Sequence, residues 1–295
     1  MNNEFNFYDR TNLKSYNLDK SMRYQLDMLD RLDLFTRRHC ENVANLTCRL
    51  CEYLHCNKGF TEYCIICAYL HDIGKQFIPP EVLQKPGKLT DEEYTIMKNH
   101  TTIGYDICMK DLKLRPYAAG TIYHHEALNG SGYPRGLTKK DIPYEGQIIR
   151  VADEYDAIVS KRQYKSHIGI SDTLKILIEN CQAGKNNPLI VRKLFKVVID
   201  DVEFEISCTQ EYVEELQEEL KRFEQIEKYR EKMENAKKEK DKNYYYEGMK
   251  MLLKNNETVD NYLSIYEEYK NAYEKRKAII DNLYKEIKII KKLKV

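Results

Sequence analysis

The chain carries two adjacent doublets of metal-binding residue types, His71-Asp72 and His124-His125, and a later acid, Asp153. A buried imidazole needs hydrogen-bond partners and a buried carboxylate needs a cation, so such doublets seldom face an ordinary apolar core without cost. A divalent metal satisfies both. Of the seven histidines, His39, His71, His100, His124 and His125 fall where a cluster with Asp72 and Asp153 would want them, while His55 and His167 stand apart. Mixed nitrogen and oxygen donors suit iron, manganese or zinc, whereas an oxygen-only set would suit magnesium or calcium. Two such metals ~3.5 to 4 Å apart can lower the pKa of a bridging water and clamp the oxygens of a substrate, the chemistry of hydrolysis. Asp72 is the natural bridging carboxylate.

Cations stand near these residues. Lys75 follows Asp72 by three residues, and Arg162 and Lys165 lie just beyond the segment carrying Asp153, so three cations could converge on an anionic substrate. The plainer alternative is that Arg162 and Lys165 favour a helix dipole or point to solvent. Asp156, one turn past Asp153, could orient Lys75 or pass a proton to a leaving oxygen, or could form a surface ion pair.

The elements that must position these side chains read as helices. Apolar residues recur at helical intervals over about residues 21–54, with His39 inside the pattern. A second helix is expected over 61–70, stopped by Gly74 and Pro79-Pro80, which leaves His71 and Asp72 at its C-terminal end. Thr90 followed by Asp91, Glu92 and Glu93 reads as an N-cap with acids in the first turn, and the helix it starts should carry His100 on its later turns. A helix from about residue 115 delivers His124-His125. Residues 128–143 are rich in Gly and Pro and read as a loop, and a helix over 145–160 carries Asp153 and Asp156 on one face.

His71-Asp72, His100, His124-His125-Glu126, the run Asn129-Gly130-Ser131-Gly132-Tyr133-Pro134-Arg135-Gly136-Leu137, and Val151-Ala152-Asp153 together resemble the HD-GYP family of metal-dependent phosphohydrolases. The resemblance covers roughly residues 25–200. It implies an all-α HD-domain helical bundle with a two-metal or three-metal centre that hydrolyses cyclic dinucleotides, chiefly cyclic di-GMP, to a linear dinucleotide or mononucleotide through a bridging hydroxide. It further implies that His39, His71 and Asp153 hold one metal and His100, His124 and His125 the other, and that Lys75, Arg162 and Lys165 contact phosphate. Gln163 stands where the family usually has Pro, which leaves that loop less rigid. Tyr133, which turn chemistry alone leaves unexplained, is expected to wall the site. Members with three metals carry a Glu four residues before the first ligand histidine; here that residue is Phe35, so two metals are expected, iron or manganese first and zinc third. Two other functions stay open: a cyclic-dinucleotide sensor without turnover, and a phosphohydrolase of another nucleotide.

Composition excludes other classes. A net charge of +1 over 295 residues gives no global attraction to DNA, RNA or an acidic membrane. No apolar run approaches the roughly 18 to 20 residues of a membrane span. Nine cysteines, an odd number, sit largely in apolar helical stretches at Cys40, Cys48, Cys51, Cys64 and Cys67. They read as core residues of a cytoplasmic protein, the Cys64-x-x-Cys67 spacing included, since no second pair matches it. Residues 1–20 read as a loose arm, 21–207 as the catalytic domain, and 208–295 as an extension of two long amphipathic helices broken near Asn255-Asn256. The apolar stripe of the extension must be covered by its own partner helix, by the catalytic domain, or by a second subunit or protein.

Overall fold

Asp33 starts the first described helix. Its carboxylate accepts the amides of Phe35 and Thr36, each at 3.1 Å, and the Thr36 hydroxyl at 2.6 Å, which satisfies N–H groups that a helix start leaves without partners. The structure is a computed structural model that describes residue 28 and residues 32–162, 169–254 and 256–295, with the backbone alone at 160–162. Helix α1 (Leu34–Tyr53) begins at Leu34, because Asp33, itself in extended backbone, caps it.

Asn57 caps α2 (Lys58–Leu70), in which every residue from Cys64 to Leu70 is buried. A 3-10 turn (Ile73–Phe77) and the short α3 (Pro80–Leu83) follow. Thr90 and Glu93 form a reciprocal capping box at α4 (Asp91–Lys98). Contrary to the single helix expected here, the chain breaks at Asn99 and His100 opens a new helix, α5 (His100–Lys110). After a second 3-10 turn (Arg115–Tyr117) come α6 (Ala118–Tyr123), α7 (Tyr144–Arg162) and α8 (Ile170–Gln182). Helix α1 packs on α2 and α7, α2 also packs on α6, and α5 packs on α6 and on the 3-10 turn at 73–77. The described residues contain no strand; a lone bridge joins Asn129 and Thr138. The all-α expectation holds.

Helix α9 (Pro188–Asn235) begins in one compact unit and ends in another. The first unit comprises the residues up to Val198 with Lys292–Val295, and the second is Ile199–Lys291. The division expected at residue 207 falls within α9, nine residues past Val198. In the first unit Ile190, Val191, Leu194, Val197 and Val198 are core residues, and the buried Arg49 donates to the Val197 carbonyl at 3.0 Å.

The second unit is a hairpin closed on itself. Lys291 pairs with Glu203, the Tyr284 hydroxyl accepts from Gln210, Arg276 lies over Tyr212, and the Tyr262 hydroxyl donates to Glu227. Residue numbers rise along α9 as they fall along α11 (Tyr262–Ile290), so the two helices run antiparallel. A further break at 236–238 divides the first expected helix and sets α10 (Glu239–Leu252) between them. That break lets Met249 and Leu252 fold onto Phe223 and Ile226, with Tyr262 and Tyr266 completing the core. Arg222 fastens the bend with both nitrogens on Glu257 at 2.6 Å each, a two-point geometry that only a guanidinium supplies. Of the described helices, none is long and apolar enough to cross a membrane.

Candidate metal centre

Five separate elements deliver the seven donors. His39 comes from α1, His71 and Asp72 from the junction after α2, His100 from the start of α5, His124 and His125 from the end of α6, and Asp153 from α7. The junction is held tight by Gly74: a Cβ there would lie 2.0 Å from the His100 carbonyl oxygen and 2.6 Å from the Gly104 nitrogen. Only a residue without a side chain lets α5 approach closely enough to bring His100 to Asp72. All seven donors except His125 are buried, and the His125 side chain retains 26% exposure, which marks the solvent side of the centre.

The donors fall into two triads with Asp72 between them. His39, His71 and Asp153 form one group and His100, His124 and His125 the other. Asp72 turns Oδ2 toward the first, at 3.3 Å from His71 Nε2 and 3.6 Å from His39 Nε2. It turns Oδ1 toward the second, at 3.3 Å from His100 Nε2 and 3.9 Å from His124 Nε2. Asp153 stands between His39 Nε2, 3.0 Å from Oδ1, and His125 Nδ1, 3.8 Å from Oδ2. The structure brings together the side chains that the resemblance implies as two sets of three, with Asp72 between them.

The ring nitrogens test whether a cation fits. The Nδ1 atoms of His71, His100 and His124 lie 2.6, 2.7 and 2.9 Å from the carbonyls of Ala68, Met97 and Gly120. A carbonyl only accepts, so each Nδ1 carries a proton, and the rings of His100 and His124, when neutral, offer a bare lone pair at Nε2. His100 and His124 nonetheless face each other Nε2 to Nε2 at 3.2 Å. Burial lowers both pKa values, that of His124 well below the ordinary one, so neither ring readily brings a proton to the contact. Asp72 Oδ1, on a residue 1% exposed, has no hydrogen-bond partner among the described residues. Two opposed lone pairs and an unsatisfied carboxylate oxygen describe a place for positive charge, and the donor set fits divalent iron, manganese or zinc.

On the other side, protons take that role. Burial works against charging His39, but the hydrogen bonds to Asp153 and Asp156 outweigh it and raise its pKa to about 9. Burial works against charging His71, but the interactions with Asp72 and Cys40 together raise it well above its ordinary value. Asp72 itself is held well below the carboxylate range, since Lys75 and His71 overcome a burial that would raise it. A metal needs the neutral imidazole, so it must displace protons that His39 and His71 keep until the pH exceeds their folded pKa. Apparent metal affinity should therefore rise from pH 6 toward pH 9, roughly tenfold per pH unit for each proton displaced. Zinc titrations against a competing indicator at pH 6, 7 and 8 check this, and affinity independent of pH would refute it.

Around the donors the structure adds detail that the spacing does not carry. Lys75 Nζ lies 2.5 Å from Asp72 Oδ2, and its pKa is raised because that carboxylate outweighs burial. Asp156, considered above as an orienter of Lys75 or a proton donor, is buried and placed 2.7 Å behind His39 Nδ1, where it fixes the ring. Tyr133 stacks on His125 with ring centroids 4.6 Å apart, and the exposed Tyr94 meets the edge of Tyr133 at 6.3 Å. The side chain of Arg162, and Lys165 entirely, lie outside the described residues.

Glu126 had a place in the motif but no role. It is 1% exposed, and its two oxygens accept the amides of Arg135 at 2.7 Å and Leu137 at 2.8 Å. A third bond joins the Tyr133 amide to the His125 carbonyl. Gly132 permits this closeness, since a Cβ there would lie 2.2 Å from the Ala127 nitrogen and 2.5 Å from the His125 oxygen. The only sequence signal for Glu126 was its position directly after the histidine doublet.

Known proteins share this region. The HD domain family matches residues 24–185. A cyclic di-GMP phosphodiesterase of Thermotoga maritima is 41% identical over 175 residues, which cover 58% of this chain and 47% of that protein. The cyclic di-GMP phosphodiesterase response regulator RpfG of Xanthomonas campestris pv. campestris is 47% identical over 98 residues, 32% of this chain and 26% of its own. The 3'3'-cGAMP-specific phosphodiesterase 1 of Vibrio cholerae serotype O1 is 31% identical over 159 residues, covering 54% and 37%. This chain thus spans about half or less of the length of these relatives. Since the family match takes in every one of the seven donors from His39 to Asp153, the chain belongs to the HD-domain family.

Proposed function

We propose that the chain is a metal-dependent phosphodiesterase that hydrolyses cyclic di-GMP or a related cyclic dinucleotide such as cyclic GMP-AMP. The observation that carries the reading is Asp72, whose two oxygens each face one triad of donors. The substrate class is supported by the names of the relatives, which act on these two dinucleotides. The reaction adds water across one P–O bond of the ring, leaving a phosphomonoester on one sugar and a hydroxyl on the other. Two divalent cations, when bound, supply the charge that activates water and stabilises the phosphoryl oxygens.

The protein's own part is positioning. Backbone carbonyls hold three imidazoles by Nδ1, and Asp156 holds a fourth, so the Nε2 atoms are aimed before any ligand arrives. Lys75 keeps its charge next to Asp72 and offers an ammonium to a non-bridging phosphate oxygen, and Arg162 and Lys165 are proposed as further phosphate contacts. Tyr133 covers the open side of His125 and limits the approach of bulk water. Two cations rather than three are proposed, with iron or manganese ahead of zinc. Phe35 offers no donor and is largely exposed, and Asp33 spends its carboxylate on capping α1. Residues 208–295 are proposed as an extension outside the chemistry, since every donor precedes them.

The test is to incubate metal-loaded protein with cyclic di-GMP and cyclic GMP-AMP in parallel, with a chelator control, and to separate the products by anion exchange. A linear dinucleotide or mononucleotide that forms only with metal supports the reading. Binding without turnover of either dinucleotide under full metal loading would make the chain a sensor instead; against that outcome, none of the seven donors is missing.

A further inference from the structure

We propose that the exposed ring of Tyr94 is a stacking surface for a purine base of the dinucleotide, so that α4, which supplies no donor to the centre, sets how the substrate lies across it; this rests on the substrate class proposed above.

A cyclic dinucleotide that presents one phosphorus to the donors must lay its bases along the walls around them, because a single ribose ties each base to that phosphate. The open side of the centre is at His125, the one donor whose side chain keeps substantial exposure. The wall on that side is aromatic. Tyr133 stacks on His125, and Tyr94 continues the wall outward, its ring 6.3 Å from that of Tyr133 at an interplanar angle of 80°. Tyr94 remains 47% exposed, so its ring offers surface to a ligand as well as to its neighbours.

A second observation concerns charge. One turn along α4, the Lys98 ammonium lies 5.1 Å from the centroid of the Tyr94 ring. A π face beside a cation is the combination by which proteins hold unpaired bases together with their phosphates. This surface is also tied to the centre. The capping box of Thr90 and Glu93 fixes the start of α4, and at its last turn the Met97 carbonyl accepts from Nδ1 of the donor His100 at 2.7 Å. A ring carried on an element fixed at both ends needs little ordering when a base arrives.

Two measurements on the full, metal-loaded chain test this. In steady-state turnover of cyclic di-GMP, Tyr94→Ala should raise KM about tenfold or more while kcat stays within about threefold, and Tyr94→Phe should restore the wild-type KM, since stacking needs the ring and not the hydroxyl. A cyclic dinucleotide with 2-aminopurine in place of both bases should lose fluorescence on binding the wild type and Tyr94→Phe, and lose clearly less at saturation of Tyr94→Ala. An unchanged KM in Tyr94→Ala, a fall in kcat alone, no recovery in Tyr94→Phe, or equal quenching in all three proteins overturns the stacking role and leaves the phosphodiesterase reading standing. Should the wild type bind the dinucleotide without hydrolysing it, the quenching comparison decides. A wild type that neither binds nor hydrolyses cyclic di-GMP or cyclic GMP-AMP overturns both.

Discussion

Asp72→Ala is expected to lose bound metal and turnover together. Each oxygen of Asp72 faces one triad, so the substitution removes the carboxylate that lies between them. It also leaves Lys75, whose ammonium sits 2.5 Å from Asp72, without its near partner. Turnover should fall by on the order of 1,000-fold or more, the scale of losing about 4 kcal/mol of electrostatic stabilisation in the transition state. Elemental analysis of the purified variant should show less than the wild-type metal content, while far-ultraviolet circular dichroism stays helical. Asp72→Asn separates charge from shape: it keeps the side-chain volume and should fail nearly as badly. Full metal content with normal turnover in Asp72→Ala would refute the bridging role.

Gly74→Ala is expected to disrupt the same centre from the backbone side. The added carbon would lie 2.0 Å from one backbone oxygen and 2.6 Å from a backbone nitrogen, neither of which can rotate away. The 3-10 turn and α5 must separate, which moves His100 from Asp72 and opens the contact between the two triads. Overpacking of this kind costs about 3 kcal/mol or more when backbone must yield. The variant should unfold at lower denaturant concentration than the wild type, and its metal affinity should fall with no donor changed. A variant with unaltered midpoint and full metal content would show that the turn and α5 can part freely. As a contrast, Gly87 has nothing within 4 Å of its Cβ position, although its φ of +117° would strain any side chain.

What was legible in the sequence was contiguous or periodic. The doublets His71-Asp72 and His124-His125 announce themselves because neighbouring donors are rare in apolar helices, and Thr90 with Glu93 announces a helix start because the cap is local chemistry. Features made by two distant segments were not legible. His100 was expected in the later turns of a longer helix, because nothing in the local pattern reveals the break at Asn99. Asp156 behind His39 spans 117 residues, and Glu126 binds amides rather than side chains, so neither role leaves a residue-type signal. In the extension, periodicity marked the stripe of α9 and α11, but the turn at 236–238 and the antiparallel pairing depend on what Met249 and Tyr262 find to pack against.

The glycine-rich loop after the second histidine doublet behaves unlike its composition. Such loops ordinarily open within the time of a hydrogen-exchange measurement and are the first places a protease cuts. Here the amides of Arg135 and Leu137 end on one buried carboxylate, and that of Tyr133 on the carbonyl of a donor histidine. Releasing the loop would strand Glu126 without partners in the core, so opening it resembles unfolding more than fluctuation. The ring of Tyr133 is consequently in place over His125 before anything binds, and the entropy of ordering this wall is lost once, when the chain folds, rather than at each arrival of a ligand.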